Sequence, residues 1–251
     1  MFNLKKVRRA RKILNYLTDL LFKLFQINLG YKEKRREYNI EIFEYFYLPW
    51  RTDKEFNKLF ETFSEFSLNP KSRFYTLFDF SKKYLKENSS FIEVGTWRGG
   101  MIGLLACKYN NSNIDFYACD TFSGVINSSE KDTFFSNSEY SDAKIIDIEK
   151  IEKLANKKIN IVPGIFPQSM DNVNLKKPIT FAHIDVDTYL SAKSSFEYIA
   201  KYSITGAVIV LDDYGGWFTD GVTLFGKEIM EDKDYFAVPN HLGQLIILKL
   251  K

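Results

Sequence analysis

The fold of this protein is decided by the stretch FIEVGTWRGG (residues 91–100), where a short apolar run ends in a glycine-rich turn. Residues 91–94 have the length and composition of a buried strand, and a helical pattern follows the turn. Gly95 permits a tight turn, while Gly99 and Gly100 would let the backbone approach a ligand at the start of the helix. The spacing differs from that of the GxGxxG pyrophosphate loop, because Gly99 comes four residues after Gly95. The stretch predicts a strand, a ligand-binding turn and a helix, with an ordinary glycine turn as the alternative.

The same alternation of strand and helix patterns continues on both sides of these residues. Short apolar runs bounded by turn residues predict seven strands, and helical periodicities of about 10–15 residues lie between most of them. This alternation is typical of right-handed βαβ units, so we predict an α/β fold with a mostly parallel sheet and helices on both faces. The last two runs can close as a hairpin through residues 240–243, which makes one strand antiparallel. The predicted strands are 91–94, 114–119, 159–162, 179–184, 207–211, 235–238 and 245–248, and the predicted helices are 71–87, 100–109, 146–155, 189–202 and 222–231.

The composition is that of a globular chain with a sizeable core. Of the 251 residues, 45% are hydrophobic and 27% are charged, which excludes wholesale disorder. No stretch approaches the ~18–20 uncharged apolar residues that a membrane span needs. The two cysteines, Cys107 and Cys119, cannot by themselves form a disulfide framework or a zinc site. Because both lie in apolar runs, we expect buried thiols in a reducing compartment and a cytoplasmic protein.

The positive charge of the chain is concentrated at its start. Residues 1–37 hold eleven Lys/Arg and three Asp/Glu, a balance of +8, so the remainder carries about −5 of the net +3. Apolar residues at helical spacing between Leu4 and Phe25 predict a basic amphipathic helix, and we place a helical arm at residues 1–45 and the main domain at residues 46–251. We expect this arm to pack on the core or to form a homo-oligomer. Attachment to an anionic membrane surface, at the inner membrane face, is the alternative. We expect no nucleic-acid partner, because the rest of the chain is acidic.

Acidic residues follow the predicted strands at the edge where an open parallel sheet binds its ligands. The second strand ends in Cys119-Asp120, 25 residues after Gly95. A carboxylate at that place can accept hydrogen bonds from both hydroxyls of a ribose. A glycine turn, a helix and then an acid, without a pyrophosphate loop, favour S-adenosylmethionine (SAM) over NAD as the cofactor. Residues 123–140 form a long polar loop, which is typical of a lid or binding loop.

Four further acids, Asp185, Asp187, Asp212 and Asp213, leave the fourth and fifth predicted strands at the same edge. Their mutual repulsion is costly unless a cation or shared protons compensate it. Oxygen ligands of this kind favour Mg²⁺, Mn²⁺ or Ca²⁺ over zinc. Strand alternation would put Asp185 and Asp187 on one face, whereas a helix N-cap is the alternative role for Asp187. His183 precedes these acids inside an apolar strand, where a core role and a catalytic role are both open.

Together these segments resemble the macrocin O-methyltransferase (TylF/MycF-like) family, whose members are SAM- and metal-dependent. The matching segments are EVGTWRGG (93–100), DTFSG (120–124), HIDVDTYLSA (183–192) and IVLDDYG (209–215). The resemblance implies a class I methyltransferase fold with a seven-stranded sheet. It also implies methyl transfer to a hydroxyl of a sugar or glycan-like acceptor, and a divalent cation, usually Mg²⁺, held by Asp185, Asp212 and Asp213. An inactive SAM- and metal-binding module tethered to a membrane-associated glycan assembly complex is the alternative function.

The resemblance assigns roles to individual residues. Thr188 stands where catechol methyltransferases have a lysine, so we expect Asp185 or Asp187 to be the general base. Aromatic residues near the site could stack on adenine or on a sugar ring, with ordinary packing as the alternative for most of them. These aromatic residues are Phe122, Phe134, Phe135, Tyr140, Tyr214 and Trp217. The predicted cofactor-binding residues are Glu93, Gly95, Thr96, Gly99, Asp120, Thr121 and Phe122.

Overall fold

The computed structural model of the protein describes residue 17 and residues 48–251. The predictions for the basic arm at residues 1–45, its helix and its contacts, lie outside the described residues and stay predictions. In the described part, no helix has the length and apolar character needed to cross a membrane.

Residues Pro49–Lys251 form one compact unit in which strands and helices alternate. The helices are α1 (Lys54–Phe63), α2 (Lys71–Tyr84), α3 (Gly100–Lys108), α4 (Ile145–Ala155), α5 (Tyr189–Tyr202) and α6 (Asp220–Glu231). The strands are β1 (Ser90–Val94), β2 (Asp115–Asp120), β3 (Ile159–Pro163), β4 (Ile179–Ile184), β5 (Ser203–Asp212), β6 (Tyr235–Asn240) and β7 (Gln244–Lys249). The predicted elements are confirmed, with ends that shift by a few residues.

The seven strands form a single sheet in the order β3-β2-β1-β4-β5-β7-β6. The pairs from β3 through to β5 are parallel, and β7 runs antiparallel to both β5 and β6, as the predicted hairpin requires. Val94 pairs with Cys119 of β2 and with Ile184 of β4, and Ile184 pairs with Leu211 of β5. Because these strand ends are level, the segments that follow them meet at one edge of the sheet.

Alternate side chains of the strands point into two separate apolar layers. Phe91 and Phe181 belong to the layer beneath α1–α4, whereas Ile92 and Ala182 belong to the layer beneath α5 and α6. Strands that are buried on both faces are the rule in parallel sheets covered by helices, and this explains their continuous apolar sequences. The thiol of Cys119 is fully buried, as predicted, whereas Cys107 is half-buried.

Helix α1 and the start of β5 depart from the predicted pattern. The prediction assigned no helix to residues 54–63, although Asp53 caps α1 by accepting a hydrogen bond from the backbone N of Phe56 at 2.9 Å. The side chains of Phe56 and Phe63 are fully buried, so tertiary packing of this aromatic face stabilises the helix. Strand β5 begins at Ser203 rather than at residue 207.

Candidate active site

A cavity of about 490 Å³ lies at the carboxyl edge of the sheet, between the segments that follow β1, β2, β4 and β5. The long loop at residues 123–140 contributes Val125, Phe135 and Tyr140 to its wall, which confirms that this loop lies at the site. Trp217 and the neighbouring Phe218 also line the cavity, and the Phe218 ring centroid lies 4.2 Å from that of Phe134 in the long loop. Of the predicted aromatic residues, Phe122, Phe134 and Tyr214 are not among those that line the cavity.

The turn after β1 is held by backbone contacts that leave no room for a side chain. Gly95 has φ +84°, and its backbone N donates to the carbonyl of Cys119 at 2.9 Å. A Cβ at Gly95 would lie 1.7 Å from the carbonyl oxygen of Asp185. Gly95 is therefore required because the segment after β1 lies directly against the backbone of the segment after β4 at the cavity wall.

Gly99 has surroundings different from those of Gly95. Gly99 does not line the cavity; it is the N-terminal cap of α3, with φ +86°. A Cβ there would lie 2.8 Å from the Cδ1 atom of Ile148 in α4. Glycine suits this position because of its positive φ, and the missing side chain also lets α3 pack closely on α4. The predicted role of Gly99 in cofactor binding stays a prediction.

Asp120 joins the two loops that flank the predicted nucleoside site. Its Oδ2 atom accepts from the backbone N of Trp97 at 2.8 Å, and its Oδ1 atom accepts from the backbone N of Phe122 at 2.7 Å. Burial raises the pKa of this carboxyl group, although these amide hydrogen bonds oppose the shift. Each carboxylate oxygen has a second lone pair, so Asp120 can still accept the hydroxyls of a ribose.

The other predicted cofactor residues have different surroundings. Thr96 and Thr121 line the cavity, and the Thr96 hydroxyl donates to the carbonyl of Cys119 at 3.2 Å. The Thr121 hydroxyl donates to the carbonyl of Gly124 at 2.8 Å. The ring of Phe122 packs instead against the apolar layer beneath α1–α4, so we assign it no stacking role in the cavity.

Glu93, His183 and Asp212 form a buried line of charged side chains across three neighbouring strands. The His183 Nδ1 atom lies 2.8 Å from Oε1 of Glu93, and its Nε2 atom lies 3.4 Å from Oδ2 of Asp212. Burial lowers the pKa of His183, but Asp212 and Glu93 outweigh it and raise the pKa to about 10. Glu93 also accepts from the backbone N of Ile102 in α3 at 3.2 Å. This line therefore connects the first turn of α3 to the acids beyond β5.

We expect His183→Gln to destabilise the metal-free protein in a pH-dependent manner. Below pH about 6.5 both the folded and the unfolded chain bind the His183 proton, so the full loss, about 3–5 kcal/mol for one partner of a buried pair, is measured there. As the pH rises to about 10, His183 loses its proton in the folded state, and the difference in unfolding free energy between the wild type and the variant shrinks. Urea unfolding in EDTA at several pH values measures it. His241→Gln is the matched control, because His241 is exposed in the β6–β7 turn; a pH-independent loss for His183→Gln would contradict the charged role.

The acids at the ends of β4 and β5 lie close together, but strand alternation does not bring Asp185 and Asp187 to one face. Strand β4 ends at Ile184, so Asp185 and Asp187 lie in the loop that follows, and both line the cavity with Asp213. Single ligand atoms of His183, Asp185 and Asp212 all lie within 4.8 Å of one another. Burial, together with neighbouring carboxylates, raises the pKa of Asp185 and of Asp187 well above the usual range. A raised pKa makes either carboxylate a stronger base.

Asp187 does not cap the helix that follows it. The N-cap of α5 is Thr188, which makes no side-chain capping hydrogen bond. The carboxylate of Asp132, in the long loop, accepts from the backbone N of Tyr189 at 2.9 Å instead. Asp187 has φ +63° and lines the cavity. The capping alternative for Asp187 is therefore wrong, and the long loop supplies the cap.

Asn69 and Arg73, at the start of α2, belong to the site although no sequence motif pointed to them. The Asn69 Nδ2 atom donates to Oδ2 of Asp185 at 2.8 Å. The Arg73 Nη1 atom donates to Oδ1 of Asp213 at 2.8 Å. The available signal was weak: a cation in the first turn of a helix opposes the helix dipole, so it indicates an acidic partner elsewhere.

The residues present fit a divalent cation. Within residues 48–251, neither carboxylate oxygen of Asp212 accepts a hydrogen bond of normal geometry, although the side chain is buried. The nearest cationic nitrogens, on Arg73 and His183, both lie 3.4 Å from it. Buried carboxylate oxygens without hydrogen bonds are costly, and hard oxygen donors are those that Mg²⁺ binds. Asp185, Asp212 and Asp213 are the residues predicted to hold such an ion. The ligand atoms that lie within 4.8 Å of one another belong to His183, Asp185 and Asp212 instead, so the inclusion of Asp213 stays a prediction.

The family model described as Macrocin-O-methyltransferase (TylF) matches residues 70–230, which is more than half of the chain. No curated protein matches the chain.

Solved structures of O-methyltransferases have the same fold at low sequence identity. CalS11, a calicheamicin methyltransferase described as a TDP-rhamnose 3′-O-methyltransferase, has a TM-score of 0.60 at 13% identity over 87% of this chain and 99% of its own. NovP has a TM-score of 0.58 at 12% identity over 72% and 79% of the two chains. An O-methyltransferase from Bacillus cereus in complex with S-adenosylhomocysteine has a TM-score of 0.52 at 17% identity over 81% and 94%. These likenesses confirm the predicted class I methyltransferase fold.

Proposed function

Since the chain belongs to the macrocin O-methyltransferase (TylF) family and is a SAM-dependent O-methyltransferase, we propose that it methylates a hydroxyl of a sugar or glycan-like acceptor with the help of a divalent cation. The observation that carries this proposal is the meeting of four carboxylates with the glycine turn at one cavity. Asp185, Asp187 and Asp213 line the same cavity as Gly95 and Asp120, and Asp212 lies beside Asp185.

The residues of the cavity divide into a cofactor side and an acceptor side. Asp120 at the end of β2 is placed to accept the ribose hydroxyls of SAM, while Gly95 and Thr96 shape the adjoining wall. Asp185 and Asp187 line the same cavity as Asp120. This shared cavity supports the proposal that methyl transfer takes place beside these two acids.

In the reaction, the acceptor oxygen forms a bond to the methyl carbon as the carbon–sulfur bond breaks, and S-adenosylhomocysteine leaves. Asp185 or Asp187 takes the hydroxyl proton. Of the two, Asp187 is not among the residues that would hold the cation, so its carboxylate stays available as the base. A bound divalent cation would act as a Lewis acid that makes a weakly acidic sugar hydroxyl easier to deprotonate. Asn69, which donates to Asp185, orients that carboxylate.

Aromatic side chains on the acceptor side support a ring-shaped acceptor. Trp217 and Phe218 have ring centroids 3.5 Å apart, and both line the cavity, as does Tyr140. Flat apolar faces of this kind suit the CH-rich face of a sugar ring. The description of CalS11 as a TDP-rhamnose 3′-O-methyltransferase makes a nucleotide-linked deoxysugar the first acceptor to test.

Removing divalent ions should lower methyl transfer by about 100-fold, because a Lewis acid supplies several kcal/mol of transition-state stabilisation. The measurement is transfer of labelled methyl from SAM to TDP-rhamnose by protein stripped with EDTA, before and after Mg²⁺ is restored. A catechol serves as the comparison acceptor. Full turnover in excess EDTA would contradict the metal role. Methylation of the catechol without methylation of the sugar would contradict the acceptor class.

A further inference from the structure

A guanidinium group already lies among the acids that would hold the cation. The Arg73 Nη1 atom is 2.8 Å from Oδ1 of Asp213 and 3.4 Å from Oδ1 of Asp212. The same atom lies 3.2 Å from Oδ1 of Asn69, and Nε donates to the carbonyl of Leu242 in the β6–β7 turn at 3.0 Å. The Arg73 side chain is largely buried, with 17% of its surface exposed. These contacts hold the guanidinium between the β6–β7 turn and the acids at the end of β5.

Arginine is a permanent positive charge beside Asp212 and Asp213, unlike a histidine or lysine partner, which can lose its proton. Its guanidinium stays protonated at any working pH, so it compensates negative charge permanently. The oxygen atoms that it approaches belong to Asp212 and Asp213, which are two of the three residues that would hold the divalent ion. A cation of charge +2 at those oxygens would be repelled by a guanidinium whose Nη1 atom lies 2.8 Å and 3.4 Å from two of them.

We propose that Arg73 is the resident cation of this carboxylate cluster and competes with the divalent ion for Asp212 and Asp213. This inference rests on the metal role proposed above. Without the ion, Arg73 neutralises the two aspartates and keeps the cluster compact. When the ion binds, the guanidinium must move away from at least one of them. Arg73 is thus a positioning residue that lowers the affinity of the site for its metal.

The arrangement also couples the ion to one wall of the cavity. Arg73 and Asn69 belong to the segment that enters α2, and Ser67 and Leu68 of the same segment line the cavity. Asn69 holds Asp185 while Arg73 holds Asp213. A shift of Arg73 on ion binding therefore acts on the part of the cavity wall that this segment forms.

The test is Mn²⁺ binding to metal-free full-length protein, measured by electron paramagnetic resonance and without turnover. Arg73→Gln should bind Mn²⁺ at least tenfold more tightly than the wild type, because it removes the competing charge. The metal-free variant should also melt at a lower temperature and gain more in melting temperature from added Mg²⁺. Arg73→Lys retains the charge and should bind Mn²⁺ within about threefold of the wild type. Lys82→Gln, on the same helix but paired with Asp53 and Asp79, is the control for loss of a positive charge elsewhere.

Each pattern of affinities has one meaning. Tighter binding by Arg73→Gln, with Arg73→Lys and Lys82→Gln near the wild type, supports competition. Equal or weaker binding by Arg73→Gln, when the wild type binds, overturns competition and leaves the proposed function standing. No binding by either protein removes the metal role itself, and competition with it. Circular dichroism checks folding, and Arg73→Met, which keeps the apolar stem, replaces Arg73→Gln if the latter does not fold.

Discussion

Asp212→Asn should reduce methyl transfer by about three orders of magnitude while SAM binding largely survives. Asp212 is buried among Asp185, His183 and Arg73, and the change keeps its shape but removes its charge. A preorganised charge in a water-poor site is worth about 10²–10³ in rate when a single group is lost, and Asp212 would hold the ion as well. The predicted cofactor turn after β1 is held instead by Asp120, which accepts from the backbone N of Trp97, and by the carbonyl of Cys119, which accepts from Gly95, so we expect the cofactor site to stay intact.

Two measurements separate these effects. Turnover is measured at saturating acceptor with added Mg²⁺, and the SAM dissociation constant is measured by calorimetry. Asp234→Asn is the matched control, since Asp234 is an exposed partner of Lys251 far along the chain from the acids. If Asp212→Asn retains more than a tenth of wild-type turnover, Asp212 does not have the proposed role in ion binding and catalysis.

Gly95→Ala should abolish SAM binding and cost the fold several kcal/mol. The alanine would need φ near +84° and would place its Cβ 1.7 Å from the Asp185 carbonyl oxygen. The positive φ alone lowers the free energy of unfolding by about 1–2 kcal/mol. The Cβ contact forces apart the segments that follow β1 and β4, because the atom it meets belongs to the backbone rather than to a flexible side chain. The same displacement moves Asp185, so both the cofactor loop and the acid cluster are disturbed.

Gly206→Ala is the control for the cost of a positive φ without a steric contact. Gly206 also has a positive φ, +86°, but nothing lies within 4 Å of the Cβ that it would acquire. We expect this variant to lose only about 1–2 kcal/mol and to bind SAM as the wild type does. Urea unfolding and SAM calorimetry on both variants measure the difference. Similar losses in the two proteins would show that the contact with Asp185 is not decisive.

The elements of the sheet could be predicted because their signals are local. Apolar runs, glycine turns and helical periods lie within a few residues of one another, and they placed each strand end to within a few residues. The level ends of parallel strands then brought Asp120, Asp185 and Asp212 to one edge. Helix α1 was missed although Phe56 and Phe63 have helical spacing, because its signal is a cap and an aromatic face beside an assumed domain boundary.

The pairings inside the site had no such local signal. The contacts of Arg73 with Asp213 and of Asn69 with Asp185 join residues more than a hundred positions apart. The contact of Gly99 with Ile148 had no local signal either, because a glycine turn serves ligand binding and helix packing alike. Asp187 was given a capping alternative that Asp132 fulfils from a distant loop.

The sequence by itself determined the α/β fold, the edge at which ligands gather and the identity of the acids that meet there. The tertiary structure decided which partners those acids have. A strand end is placed by the hydrophobic and turn pattern of its own segment, whereas the partner of a buried charge is selected by whatever side chain folding brings within about 4 Å. That choice depends on the packing of α2 against the sheet, which no single stretch of sequence contains.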